Sequence, residues 1–256
     1  MKKSPLRPAK TQPAQLRRTK PRPTQLRPAK PRPTKLRPTK LGSKLQRAFA
    51  YAAKMHAGQA RKATTVPYLS HLMAVASLVL EAGGDEEMAI AALLHDVVED
   101  CGGMPRLREI RKQFGARVAK IVEGCTDSFT EPKPDWIERK KGYLKEVKHA
   151  DDETRLVSAS DKLHNVRSIL ADYRKDGDAI WIRFNGKKEG TLWYYRALSD
   201  EYARTPNRIT RELALAVRDL ESLCGVDSAS ANLASGNSAS GRVSENSVSD
   251  KMPVGR

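Results

Sequence analysis

The stretch MAIAALLHDVV, residues 88–98, is apolar on nearly every face of a helix, yet it runs into four polar groups: His95, Asp96, Glu99 and Asp100. A helix that is apolar all round belongs in the interior of a domain. Asp85 ahead of it reads as an N-cap, and Glu86 and Glu87 complement the helix dipole, so one helix is predicted from there to about Glu99. Imidazoles and carboxylates carried into a core must be compensated, because unpaired they shift their pKa values or destabilise the fold. At about 100° per residue, His95 and Glu99 share one face and Asp96 and Asp100 an adjacent one. An ion beside this turn could be ligated by the first pair while the second pair faces its water.

Helical spacing continues on both sides, and no segment alternates strictly enough to predict a strand. Leu45, Phe49, Ala52 and Met55 mark a first helix, and Leu69, Leu72, Val75, Ala76 and Val79 a second, which Gly83 and Gly84 terminate. Beyond the apolar helix, Pro105 and Gly115 bracket a fourth, and Val118, Ile121, Val122 and Cys125 place a fifth directly after it. A sixth is predicted over Asp135 to His149. The seventh carries Leu156, Ala159, Leu163, Val166 and Leu170 on one stripe. Two more are expected, near Leu192 to Tyr202 and from Pro206, behind Thr205 as its cap, to Leu223. The glycine-bearing stretch Asp176 to Gly190 reads as a loop with a short hairpin. The expectation is an all-α bundle of roughly eight to nine helices over residues 43–224.

The ends have another composition. Residues 1–45 hold 15 of the 47 lysines and arginines, none of the 30 acids and nine of the 15 prolines, so all but two of the formal +17 charges lie there. A fold that coats nucleic acid uniformly is thereby excluded as the simplest reading. Residues 1–42 repeat every ten positions from Leu6 (LRPAKTQPAQ, LRRTKPRPTQ, LRPAKPRPTK, LRPTK), and one leucine per repeat cannot build a stacked solenoid. The segment is predicted to be disordered or polyproline-like. Such a cation would contact nucleic acid, including the ribosome, in a salt-dependent and sequence-blind way, and it lacks aromatics for base stacking. The alternatives are a solubilising leader or a misassigned start codon. Residues 225–256, rich in Ser, Asn, Gly and Ala, read as a disordered tail without a role.

Three scattered cysteines, Cys101, Cys125 and Cys224, argue against a disulfide scaffold or a thiolate zinc site. No apolar run reaches the ~18 to 20 residues of a bilayer span, and the N-terminus lacks the apolar core of a signal peptide, so a soluble, cytoplasmic protein without membrane contact is expected. Proline at this density disfavours an amphipathic transit peptide.

Two more polar residues stand on predicted core faces. His71 shares its face with Ala74, Val75 and Leu78, and Asp161 lies beside the apolar stripe of the seventh helix, with Asn165 and Ser168 following it. The order His, His-Asp, distant Asp on separate helices resembles the HD superfamily of metal-dependent phosphohydrolases. In sequence, HAGQARK (His56–Lys62), VPYLSH (Val66–His71), ALLHDVVED (Ala92–Asp100), FGARVAKIVEGCTD (Phe114–Asp127) and SDKLHNVRS (Ser160–Ser168) resemble the (p)ppGpp hydrolase domain of RelA/SpoT proteins and its stand-alone Mesh1-type relatives.

That resemblance implies an HD-domain bundle with His71, His95, Asp96 and Asp161 ligating one divalent ion, usually Mn²⁺. A mixed nitrogen and oxygen donor set suits Mn²⁺ or Fe²⁺. It implies that Glu99 and Asp100 orient and deprotonate the attacking water. It implies that Arg61 packs on guanine, that Lys62 offsets charge and that Asn165 lies near ribose and base. Lys162 and Arg167 are expected to contact phosphate and Tyr68 to line the pocket, whereas His56 and His164 read as structural or rim residues. The implied reaction is removal of the 3′-pyrophosphate from guanosine tetra- or pentaphosphate to leave GDP or GTP. Alternatives are another nucleotide, such as NADPH or a deoxynucleotide, or a module that binds polyanions through its basic segment. Leu72 stands where many relatives have proline, and CGGMPRLREI is glycine-rich where they often carry threonines. Nothing after residue 225 could be a synthetase domain, so degradation without synthesis is expected. Oligomeric state is not legible.

Overall fold

The computed structural model describes residues 40–130 and 132–225. The expected tails, 1–42 and 225–256, lie almost wholly outside the described residues. Ten α-helices follow in order: α1 (Ser43–Met55), α2 (Leu69–Glu81), α3 (Glu86–Leu94), α4 (Val97–Cys101), α5 (Gly103–Phe114), α6 (Ala116–Cys125), α7 (Trp136–Val147), α8 (Asp152–Asp176), α9 (Lys187–Tyr202) and α10 (Arg208–Leu223). Among the described residues there is no β-strand, and an isolated bridge between Ala60 and Pro67 pins the loop from α1 to α2.

Asp85 does cap α3, accepting a hydrogen bond from the Met88 amide at 3.1 Å. The helix read as continuous to Glu99 is instead two. His95 donates from Nδ1 to the Ala92 carbonyl at 2.7 Å, taking the acceptor that an unbroken helix would give to the Asp96 amide. The chain turns there and resumes as α4. Gly102 and Gly103 then adopt φ of +125° and +62°. A Cβ on Gly103 would lie 2.5 Å from the Phe129 carbonyl oxygen, so side chains are excluded at this corner.

Three further expectations change. The stretch after Asp176 forms a 3-10 turn over Gly177–Arg183 rather than a hairpin. Its Ile180 and Trp181 are buried, which anchors the segment to the bundle without a strand partner. Helix α10 is capped by Asn207, not Thr205, in a reciprocal box with Thr210. Phe49 is 41% exposed, because α1 buries Ala48 and Ala52 against its neighbours.

Two apolar cores result. One gathers α1 to α6 around Leu72, Ile90, Leu94 and Ile121. The other gathers α7 to α10 and the 3-10 turn around Tyr143, Leu163, Leu198 and Leu213. Helix α8 serves both, contributing Val157 to the first and Leu163 and Val166 to the second. It also carries buried polar groups. Arg155, 5% exposed, donates to the carbonyls of Val147 and Glu201, each at 2.8 Å, and lies over the Tyr202 ring. One guanidinium thus caps the C-terminal ends of α7 and α9, where helix dipoles are negative. Arg155→Met is expected to lower stability by about 1–3 kcal/mol, since the carbonyls of Val147 and Glu201 each lose a 2.8 Å donor and keep only the longer backbone bonds from Ala150 at 3.3 Å and Arg204 at 3.4 Å. Chemical denaturation measures it, and a loss below about 0.5 kcal/mol would show that water takes over both.

Candidate metal centre

Between the two cores, α2, the α3–α4 turn and α8 bring His71, His95, Asp96 and Asp161 together. His71 Nε2 lies 3.2 Å from Asp161 Oδ1 and 3.6 Å from Asp96 Oδ2. His95 Nε2 lies 2.9 Å from Asp96 Oδ2 and 3.7 Å from Asp161 Oδ1. Donor atoms of His71, His95 and Asp161 all fall within 4.8 Å of one another, as a cation's ligands must. The alternative that His95 acts with Glu99 does not hold, because the turn after Leu94 carries Asp96 towards His95.

The donor set fits a divalent ion. His95 Nδ1 is committed to the Ala92 carbonyl, so the buried Nε2 is the nitrogen that faces the carboxylates. Burial lowers the His95 pKa, but Asp96 and Asp161 raise it well above its ordinary value, so a bound cation would displace the proton that Nε2 otherwise carries. His71 Nδ1 lies 2.8 Å from His164 Nδ1. Burial, with His71 and Arg61 nearby, lowers the His164 pKa to about 4, so His164 is neutral and can accept from His71. Both histidines then offer Nε2, a fixed tautomer of the kind metal ligands require. Burial would raise both carboxyls, but His95 and His71 hold Asp96 well below the usual range, and Lys162 and the two imidazoles do the same for Asp161.

Other contacts orient the carboxylates. Tyr68 donates to Asp96 Oδ2 at 2.7 Å, and burial together with Asp96 pushes its phenol far up, so it stays a donor. Lys162 Nζ and Asn165 Nδ2 each reach one oxygen of Asp161 at 2.5 Å. Asn165 Oδ1 in turn accepts from Arg61 at 2.7 Å. A continuous chain of bonds therefore links the cleft wall to Asp161.

One turn beyond, Lys133 Nζ sits 3.1 Å from both Glu99 Oε1 and Asp100 Oδ1. Arg139 approaches Glu99 at 3.5 Å and also pairs with Asp127, which holds Lys140 as well. Burial, reinforced by Asp127 and Asp96, raises the Glu99 pKa to about 7, with Lys133 and Lys140 opposing.

A cleft of about 750 Å³ opens onto this centre, lined by Arg61, Lys62, Tyr68, Glu99, Asp100 and Asn165 among others. A recess of about 240 Å³ adjoins it, where Lys62, Arg139, Lys140 and Lys162 gather. Lys162, expected as a phosphate contact, is spent on Asp161, although it edges the recess. Arg167 is a correction. It lines neither space and pairs with Glu212 of α10, because it sits about 200° around α8 from Asn165. Lys133, Arg139, Lys140 and Asp127 were not singled out from sequence. Only the charge density of residues 133–141 marks the three cations, and Asp127 closes the CTD motif already noted.

A pair of imidazoles and a pair of carboxylates on separate helices, with an acidic pair at the mouth of a cleft, defines an all-α protein built to hold a cation beside water and substrate. The family model described as HD domain matches residues 48–192, and the chain belongs to that family. It is 36% identical over 130 residues to human guanosine-3′,5′-bis(diphosphate) 3′-pyrophosphohydrolase MESH1, covering 50% of this chain and 70% of that one. It is 38% identical over 155 residues to a guanosine-3′,5′-bis(diphosphate) 3′-pyrophosphohydrolase of Aquifex aeolicus, covering 60% of this chain and 18% of that longer one. A solved structure described as a metazoan ortholog of SpoT that hydrolyzes ppGpp superposes with a TM-score of 0.57 at 25% identity, covering 73% of this chain and 99% of that one.

The electrostatics of the acidic pair give a measurable consequence. In metal-free protein the Glu99 carboxyl is expected to titrate near pH 7 by carbon NMR, and Lys133→Met should move the midpoint higher, because a cation favouring the ionised form is lost. A midpoint near the ordinary value of about 4, or a downward move in the variant, would contradict this environment.

Proposed function

We propose that the chain hydrolyses guanosine 3′-diphosphate 5′-di- or triphosphate to GDP or GTP and pyrophosphate. The observation that carries the reading is the convergence of the four ligand side chains beside an acidic pair, at the end of a cleft with a cationic recess. The names of the relatives support the substrate class. When bound, a divalent ion, Mn²⁺ by first expectation and Fe²⁺ by second, neutralises phosphate oxygens and lowers the pKa of a water from ~15.7 towards ~7.

His71, His95, Asp96 and Asp161 hold that ion. Glu99, with Asp100 beside it, orients the water and accepts its proton, a task suited to a carboxyl whose pKa lies near ambient pH. Water adds to the phosphorus attached to the ribose 3′ oxygen, that P–O bond breaks, and the departing ribose oxygen takes up a proton. Lys62, Arg139 and Lys140 in the recess offset the pyrophosphate charge, while Arg61 and Asn165 flank the nucleoside. A cytoplasmic location is part of the reading, supported by three free cysteines, which persist in a reducing compartment. No helix of the described residues is long and apolar enough to cross a membrane.

Incubation with ppGpp and Mn²⁺ should yield GDP and pyrophosphate, and metal-loaded protein that yields neither would end the proposal. His95→Ala and Asp161→Ala should lose both metal and turnover. Glu99→Ala should retain the ion and lose about 10²- to 10⁴-fold in rate, and equal metal loss in all three would remove this division of labour.

A second reading concerns residues 1–42, whose cationic, acid-free composition suits contact with the phosphates of nucleic acid. Removing them should abolish salt-sensitive RNA binding and leave turnover unchanged. RNA binding that survives the deletion would place the contact elsewhere.

A further inference from the structure

The cleft carries a carboxylate that neither the cation nor the water needs. Asp161, Asn165, Ser168 and Asp172 follow one another along one face of α8 at intervals of four, three and four residues. At 1.5 Å per residue, Asp172 stands about 16 Å from Asp161, where the cleft is also lined by Ile169 and Phe184. Its Oδ2 pairs with Arg183 Nη1 at 3.2 Å, and its side chain, which lines the cleft, remains 40% exposed. Arg183, at the end of the 3-10 turn, is 16% exposed, and its other terminal nitrogen is enclosed without a partner. Arg183 also lines the cleft, but with Nη1 committed to Asp172 and Nη2 enclosed, its guanidinium serves chiefly to hold the carboxylate.

A carboxylate accepts hydrogen bonds and repels phosphate. The polyphosphate chains have their cations elsewhere, at Lys62, Arg139 and Lys140 in the adjoining recess. The part of a polyphosphate nucleotide that meets Asp172 must therefore lie away from the phosphates and must donate. Of the common nucleobases, guanine alone presents two adjacent donors, N1–H and the N2 amino group, on its Watson–Crick edge. Adenine places an acceptor, N1, where the carboxylate needs a donor, so the same group that binds one base rejects the other.

We propose that Asp172, held in place by Arg183, reads the N1–H and N2–H donors of guanine and sets the base specificity of the cleft. The proposal deepens the hydrolase reading and rests on it for the orientation of the nucleotide. Asp172 is a specificity residue that touches the base, and Arg183 is a positioning residue.

The test compares the wild type with Asp172→Ala and Asp172→Asn on the guanosine and adenosine 3′,5′-bis(diphosphates). Calorimetric binding of GDP and ADP is measured in parallel with Mn²⁺ present. Loss of a paired hydrogen-bond contact to a base costs about 10- to 100-fold. Both variants should lose that much kcat/KM on the guanosine compound through KM, with kcat unchanged. The adenosine compound should be used as well as before or better, so the preference between bases collapses. GDP should lose affinity by the same factor, ADP should not, and thermal midpoints should stay together. Equal losses on both bases, or an unchanged ratio, would overturn the proposal. If the wild type hydrolyses neither compound but binds GDP over ADP through Asp172, the base assignment stands and the hydrolase reading falls.

Discussion

Two carboxylates and two imidazoles are forced into one small volume between two apolar cores, and much of the rest of the structure answers to that constraint. Asp96 and Asp161 repel each other, and His95 Nε2 is enclosed without an aligned partner, so the arrangement is costly unless a cation occupies its centre. The surroundings supply rigidity. Helix α3 buries every residue from Met88 to Leu94, leaving its end no freedom to withdraw, and α8 is clamped by both cores. Binding free energy then feeds directly into the stability of the junction.

Around this centre each of the four side chains has a second contact that fixes which atom it offers. The Ala92 carbonyl fixes the tautomer of His95, His164 that of His71, Tyr68 holds an oxygen of Asp96, and Lys162 and Asn165 share Asp161. The contact at Ala92 also divides the central helix. The break that creates α4 thus accompanies the orienting of His95, and beyond it Glu99 and Asp100 meet Lys133.

Much of this was legible in sequence because helices announce themselves through periodicity and caps. The stripes of α2 and α8, the Asp85 cap and the all-apolar α3 needed no tertiary information. What was not legible depends on partners far along the chain. The split at His95 follows from a side chain turning back on its own helix. Lys133 comes from a proline-flanked loop without periodicity, and its grip on Glu99 and Asp100 exists only once that loop folds over α4. The Thr205 cap yields to Asn207 because the reciprocal bond needs a hydroxyl three residues on, which Thr210 provides. Arg167 is different. Helical spacing alone sets it off the face of Asp161, Asn165 and Ser168, so its place against Glu212 could have been read without coordinates.

The charge along the cleft varies in a way that restricts what fits. Near the metal centre the recess gathers Lys62 with Arg139 and Lys140, which share the single carboxylate of Asp127, beside Glu99, whereas three turns along α8 the pair Asp172–Arg183 is neutral overall. A ligand with charge at both ends would leave the carboxylate facing phosphate, and a ligand with none would leave the recess unsatisfied. A molecule that is densely anionic over part of its length and an uncharged hydrogen-bond donor over the rest satisfies both. Because Asp161 and Asp172 sit on the same rigid face, the distance between those two demands is set by helical rise and not by loop conformation. The proposed base contact and the proposed metal ligand are therefore held in register by one element, which also carries Asn165 between Arg61 and Asp161. Disturbing α8 anywhere between its two acidic ends would change spacing at both.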